Sequence, residues 1–164
     1  QRGVVGAAHL NTLLQEALNP SEVCLRRSGY SFRVNDKVMQ IQNNYDKEVF
    51  NGDIGTVSSL DLEERKLTVR FDDREVEYDV TELDELVQAY AITIHKSQGS
   101  EYPIVVMPVL MTHFVMLQRN LIYTGITRAK KLLVLVRTKK AIGYAVRNVT
   151  VTNRNTRLKE RLQA

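Results

Sequence analysis

The chain has 164 residues, 43% hydrophobic and 26% charged, with 23 Lys and Arg against 19 Asp and Glu for a formal net charge of +4. That composition places it among globular proteins with apolar sequence for one ordinary core, or a medium core and a small satellite module, and its mild basic excess suits either solubility or a polyanionic partner. A single cysteine, Cys24, excludes an intrachain disulfide and a cysteine-rich zinc site, and apolar runs such as Ile104–Val106 and Leu132–Val136 fall far short of the ~20 residues that cross a bilayer, so a soluble, cytoplasmic protein without membrane contact is expected.

Leu10, Leu13, Leu14 and Leu18 recur at helical spacing, and Asn19-Pro20 ends that helix because proline lacks an amide donor and restricts the residue before it. From Asp36 to about Val80 the texture becomes β-like: Lys37–Ile41, Ile54–Leu60, Leu67–Phe71 and Val76–Val80, separated by Asn51-Gly52-Asp53, Asp61–Lys66 and Asp72–Glu75. With no helix between them, these runs predict a small antiparallel barrel or curled sheet standing as its own module. Thr81–Ala89 reads as a short helical connector. Strands are then predicted at Tyr90–His95, Ile104–Leu110 and Leu132–Arg137, and Phe114, Leu117, Leu121, Ile122 and Ile126 give Phe114–Lys131 a helical period. Alternating strands and helices imply a parallel sheet covered by helices, so the β-rich segment is an insertion into an α/β domain that the first helix begins. Thr138–Arg147 forms a last helix, and Asn148–Ala164 a loose tail.

The chemistry concentrates in two segments. In a strand ending at His95, Thr93 and His95 share one face, and Lys96, Ser97, Gln98, Gly99 and Ser100 follow at its carboxyl edge, where open α/β sheets commonly bind ligands. Gly99 lets a backbone approach an anion, and Glu101 offers an acceptor suited to a ribose hydroxyl. An ordinary turn would also use such residues. Downstream, Leu121, Ile122 and Ile126 bury one side of a helix and leave Thr124, Thr127 and Arg128 on another, with Arg128 free to reach outward. A lone arginine late in a helix also complements the helix dipole.

Taken together, Thr-Ile-His-Lys-Ser-Gln-Gly-Ser-Glu at 93–101 and Leu-Ile-Tyr-Thr-Gly-Ile-Thr-Arg-Ala-Lys at 121–130 resemble motifs V and VI of superfamily 1 helicases, in the family's order. Asp-Lys-Val-Met-Gln at 36–40, Asn-Asn-Tyr at 43–45, Val-Phe-Asn-Gly-Asp-Ile-Gly at 49–55 and the opening Arg-Gly-Val-Val-Gly resemble the RecD-like branch, which includes the exodeoxyribonuclease V alpha subunit. The resemblance implies an α/β fold: a second RecA-like motor domain, its parallel sheet flanked by helices, with an inserted Src-homology-3-like barrel. Residues 1–35 would be its first part, 36–87 the barrel, 88–150 the remainder with motifs V and VI, and 151–164 a flexible tail. It further implies that Thr93, His95, Lys96 and Ser97 touch a DNA single strand, that Gln98, Gly99 and Glu101 face the nucleotide, and that Arg128 is an arginine finger on its γ-phosphate. Arg119 matches a basic position before motif VI.

No Gly-x-x-x-x-Gly-Lys followed by Ser or Thr occurs, and Asp72-Asp73 lies in a β turn and not after a motor strand. ATP and Mg2+ are therefore expected in the intact protein, on its first motor domain, and neither in this chain alone, which is expected to be the inactive C-terminal portion of a 5′–3′ DNA helicase. Asn43, Asn44 and Asn51 serve turns or strand contacts, with Asn44 carried as a DNA-binding candidate. His9 and His113 lack companions at metal-ligand spacing, so no metal site is expected. The partners implied are single-stranded DNA and duplex junctions, the first motor domain of the same protein, and subunits of a recombination nuclease acting in DNA repair. The alternative is a nucleic-acid-binding or protein-docking module without motor activity.

Overall fold

The alternating polarity from Lys37 to Asp79 is what antiparallel strands with one wet face require, and the computed structural model folds this stretch accordingly. The structure describes residues 6–72 and 74–149, and the chain divides into two compact units, Gln1–Ser97 and Gln98–Ala164. The tail 151–164, the opening Arg2–Val5 and Asp73 lie outside the described residues.

The first unit starts with α1 (Ala7–Leu18) and a hairpin, β1 (Leu25–Arg27) and β2 (Tyr30–Phe32). Ser28 and Gly29 turn that hairpin with φ of 49° and 82°, the positive pair a two-residue turn needs to match strand twist. There follow β3 (Lys37–Gln40), β4 (Ile54–Asp61), β5 (Lys66–Phe71), β6 (Arg74–Asp79), a 3-10 turn (Val80–Glu85) and β7 (Leu86–Gln88). They make a five-stranded antiparallel sheet in the order β6-β5-β4-β3-β7. A register shift between Val57 and Ser59 lets β4 bend. Phe32, Val38, Val57, Leu67, Val69, Tyr78, Leu83 and Leu86 fill the core inside that curl. Gly55 is where backbones crowd: a Cβ there would stand 2.5 Å from Val69 Cγ1 and 2.9 Å from the Arg70 carbonyl oxygen.

In the second unit, β8 (Tyr102–Val109) pairs in parallel with β9 (Ala129–Arg137), and the connection runs through a 3-10 turn (Met111–Met116) and α2 (Arg119–Ile126) before α3 (Lys139–Arg147) closes the unit. Helices α2 and α3 touch each other, and Met107, Val109, Leu117, Ile122, Ala141 and Ala145 are its buried apolar residues. The alternate residues form an exposed ladder, Ile104 opposite Leu132 and Val106 opposite Val134, with Val136 beyond.

Three expectations are corrected. Tyr90–His95 is not a strand: β7 ends at Gln88 and residues 94–99 are turns. Its backbone is engaged elsewhere, because the Asn11 side chain donates to the Ala91 carbonyl at 2.9 Å and accepts from the Ala91 amide at 2.8 Å, taking both groups a neighbouring strand would use. Thr81–Ala89 is helical only in its first half; β7 occupies the rest. Phe114–Lys131 is not one helix, since Leu117 and Gln118 leave helical geometry (φ −78°, ψ 77° and φ −115°, ψ 143°) and β9 already begins at Ala129. The β1–β2 hairpin goes unread in the sequence, although Ser28-Gly29 is a turn signal.

Two glycines test this packing in opposite directions. Gly55→Ala should lose about 1–3 kcal/mol by overpacking, whereas Gly143→Ala, inside α3 with nothing within 4 Å of the added carbon, should gain about 0.5–1 kcal/mol of helix propensity. Urea unfolding midpoints moving the same way for both would contradict the packing described.

Candidate nucleotide and nucleic-acid sites

In the first unit, Thr93–Ser97 is a single helix-like turn closed by its own polar groups. The Ser97 amide donates to the carbonyls of Thr93 at 3.1 Å and Ile94 at 3.2 Å, and the Lys96 amide donates to Thr93 Oγ1 at 3.3 Å. Ser97 is buried and its hydroxyl donates to the Ile94 carbonyl at 2.8 Å. His95 and Lys96 are exposed, and among the described residues neither side chain has a hydrogen bond or ion pair. Thr93 and Ser97 thus shape the turn, and His95 and Lys96 leave it.

Asn44 belongs to a different place, the loop between β3 and β4. Its Nδ2 donates to Glu85 Oε2 at 3.2 Å and its Oδ1 accepts from the Lys47 amide at 3.1 Å, so both ends of the amide are used internally. The same loop presents a pair missed in the sequence: Tyr45 and Phe50, 73% and 44% exposed, with ring centroids 6.0 Å apart in an edge-on arrangement. Two aromatics flanking a turn-rich loop were the available signal; the asparagines drew attention instead. Asn43 holds the loop by accepting from the Asn51 amide at 2.9 Å.

In the second unit the structure brings Arg128 onto the loop that leads into β8. Arg128 Nη1 donates to the Ser100 carbonyl at 2.9 Å, Nε to the Thr124 carbonyl at 3.3 Å and Nη2 to Thr127 Oγ1 at 3.3 Å. The Arg128 carbonyl accepts from the Tyr102 amide at 2.8 Å, and Glu101 pairs with Lys130 at 3.1 Å on the surface. Gly99 has φ of 85° with open space around it, and Gln98 is exposed beside it. Two expectations change here. Arg128 does not reach freely outward but is half-buried against its own unit, just past α2. The loop and Arg128 also lie at the amino ends of β8 and β9, not at a carboxyl edge, because Tyr90–His95 forms no strand and the loop leads into β8. Arg119 is exposed in the first turn of α2.

Among the described residues no group of His, Cys, Asp and Glu could hold a metal ion, and no helix is long and apolar enough to cross a membrane. The model of the SH3 domain of ATP-dependent RecD-like DNA helicases matches residues 10–71, and that of the UvrD-like helicase C-terminal domain matches residues 88–136. The chain is 42% identical over 130 residues to an ATP-dependent RecD2 DNA helicase of Deinococcus radiodurans, covering 79% of this chain and 18% of that protein. The chain belongs to the RecD-like helicases. It is also 34% identical over 143 residues to the RecBCD enzyme subunit RecD of Haemophilus influenzae, covering 87% of this chain and 21% of that one. It therefore spans about a fifth of the length of these RecD relatives. A crystal structure of a Bacteroides Pif1 helicase in complex with ADP-AlF3 and ssDNA superposes with a TM-score of 0.61 at 18% identity, over 96% of this chain and 43% of that one. The RecD-like fold is thus an α/β one, with an SH3-like module and a RecA-like parallel sheet flanked by helices.

Just upstream of the Thr93–Ser97 turn, Tyr90 donates its hydroxyl to Asp36 at 2.8 Å. Burial, and then the Asp36 carboxylate, push its phenol up to about 12. The fold thus favours neutral Tyr90, a contribution fully present below the unfolded phenol's value of about 10 and lost as pH rises through about 12. Stability of the native chain should therefore fall more steeply over that window than that of Tyr90→Phe, measured by chemical unfolding at a series of alkaline pH values; parallel curves would show that Tyr90 is not held neutral.

Proposed function

We propose that this chain is the C-terminal portion of an ATP-dependent 5′–3′ DNA helicase that works in the cytoplasm, supplying an arginine finger and part of the single-strand track. The observation that carries the reading is the bond between Arg128 Nη1 and the Ser100 carbonyl at 2.9 Å, which ties the finger to the loop of Gln98, Gly99 and Glu101. Arginine has five donors, and here they meet uncharged oxygens of Ser100, Thr124 and Thr127. A phosphate adds opposite charge, and often a bidentate geometry, to what a neutral carbonyl offers a guanidinium, so a γ-phosphate arriving from the first motor domain would draw Arg128 away from Ser100. The loop that loses this bond carries Gly99, the residue with room for a close backbone approach. Nucleotide state thereby reaches the loop that follows the strand track in the sequence.

On that track His95 and Lys96 meet the DNA backbone, while Thr93 and Ser97 hold the turn that presents them. Asn44, engaged by Glu85 and the Lys47 amide, acts by holding its loop. ATP supplies the free energy and Mg2+ neutralises its phosphates; the residues for that, a P-loop among them, do not occur in these 164 residues. Mg2+ therefore belongs to the first motor domain, and this chain by itself does not hydrolyse ATP. The exposed ladder of Ile104, Val106, Leu132, Val134 and Val136 supports this incompleteness, because parallel sheets are ordinarily covered on both faces. Substrates would be single strands at duplex junctions. A relative that is a RecBCD enzyme subunit adds recombination-nuclease subunits as partners, with roles in DNA repair and recombination.

A second reading, a binding or docking module without motor activity, is favoured by the exposed Tyr45–Phe50 pair, since aromatics on a pre-formed loop can stack on bases or pack on a protein. The motor reading is tested in the full-length protein carrying this chain. Arg128→Ala should lower ATP turnover by about 10³–10⁵, because it removes a charge that meets developing negative charge in a low-dielectric cleft, and should leave single-strand affinity largely intact. Retained turnover refutes the finger.

A further inference from the structure

Helix α1 turns a polar stripe toward its own unit, with Leu10 and Leu14 half-buried beside it. Asn11, Gln15 and Asn19 recur every fourth residue and so share a face, and Asn11 and Gln15 are buried while Leu13 and Leu18 are 50% and 67% exposed. At the centre of that face is Asp36, with 0% of its surface exposed. Its carboxylate accepts from Gln15 Nε2 at 2.5 Å, Asn19 Nδ2 at 2.7 Å, the Arg33 amide at 2.8 Å and the Tyr90 hydroxyl at 2.8 Å. Every one of those donors is uncharged, so neutral hydrogen bonds compensate the lost hydration of a charge, which is otherwise costly. An apolar contact would hold a helix to a sheet at far lower risk. The arrangement achieves something an apolar contact does not: it fixes direction.

Direction matters because of what the network grips. Tyr90 is held by its hydroxyl to Asp36, and Ala91 is held by both backbone groups to the Asn11 side chain at 2.8 and 2.9 Å. Thr93, whose hydroxyl caps the turn bearing His95 and Lys96, comes two residues later. We infer that Asp36 and Asn11 are positioning residues for the strand track: they clamp Tyr90-Ala91 and thereby fix the turn that presents His95 and Lys96 to a nucleic-acid backbone. This inference rests on the proposed function of that turn and adds how it is held. A loose turn would present the same two side chains and bind a strand more weakly, because the ordering would then be charged to each binding event.

The test uses Asn11→Ala and Tyr90→Phe in the full-length protein, Asn11 being buried and the Tyr90 hydroxyl turned to Asp36. Amide exchange at residues 91–97 should speed up about tenfold, since each variant loses one or two buried hydrogen bonds, while the barrel amides of Val57 and Val69 keep their protection. Affinity for an oligo-dT strand should fall by a similar factor with an unchanged salt dependence, because the phosphate contacts are the same once made. Asn11→Asp, which keeps the acceptor for the Ala91 amide, should lie between. Faster exchange with undiminished affinity overturns the positioning role, and unchanged exchange overturns the clamp. Failure of the unmodified protein to bind the strand overturns the track itself, an outcome distinct from the other two, in which the unmodified protein binds. Loss of protection throughout the barrel in both variants also overturns the inference, since the network would then be needed simply to fold.

Discussion

A carboxylate withheld from water must be surrounded by donors, and meeting that requirement at Asp36 organises the first unit. The donors come from α1, from the corner between β2 and β3 and from the segment after β7, so three stretches far apart in sequence converge on one acid. Once they converge, α1 faces the unit with its polar stripe, Leu10 and Leu14 half-buried beside it and Leu13 and Leu18 exposed. Ala91 then has both backbone groups taken by Asn11, and Tyr90 is held by its hydroxyl. The residues after them fold back on themselves into the Thr93–Ser97 turn. A buried charge and the asparagine beside it thus set which polar residues α1 buries and tie down the segment that precedes a candidate binding element.

The second unit depends on a charge in a milder setting. Arg128 is half-buried, and its partners are two carbonyls and a hydroxyl, none of them an acid. A structural arginine is most firmly fixed by a carboxylate. Glu101 is one residue from Ser100, yet it pairs with Lys130 on the surface. The guanidinium is therefore held in place without being neutralised, which is the condition for a cation that later answers to a phosphate.

What could be read from the sequence was what is encoded locally. Strands β3 to β6 follow from alternation over a few residues, β8, β9 and α3 from apolar runs and their punctuation, and the motif pair from residue types in order. The parts that escaped depend on partners distant along the chain. Leucine periodicity in α1 marks an apolar face correctly, but which face is buried is decided by Gln15 bonding Asp36 and by Asn11 bonding Ala91, 21 and 80 residues away. Tyr90–His95 has strand composition, and Ala91 within it lost both backbone groups to the same distant asparagine. The helix expected from Phe114 breaks where buried Leu117 leaves helical geometry, a local event that periodicity smooths over.

The distribution of satisfied and unsatisfied groups narrows the candidate site further than motif matching does. A polar side chain whose bonding capacity is met within its own fold contributes architecture, and binding a ligand through it must first break those bonds. Ser97 and Asn44 are of that kind, and Thr93 largely so. His95, Lys96 and Gln98 are exposed and, among the described residues, have no such bonds to break. Arg128 lies between these classes, held by three bonds to uncharged oxygens that a phosphate can outcompete. The residues of the motif pair thus separate by physical state: some build the turn and the loop, His95, Lys96 and Gln98 stand exposed, and Arg128 is held at intermediate strength.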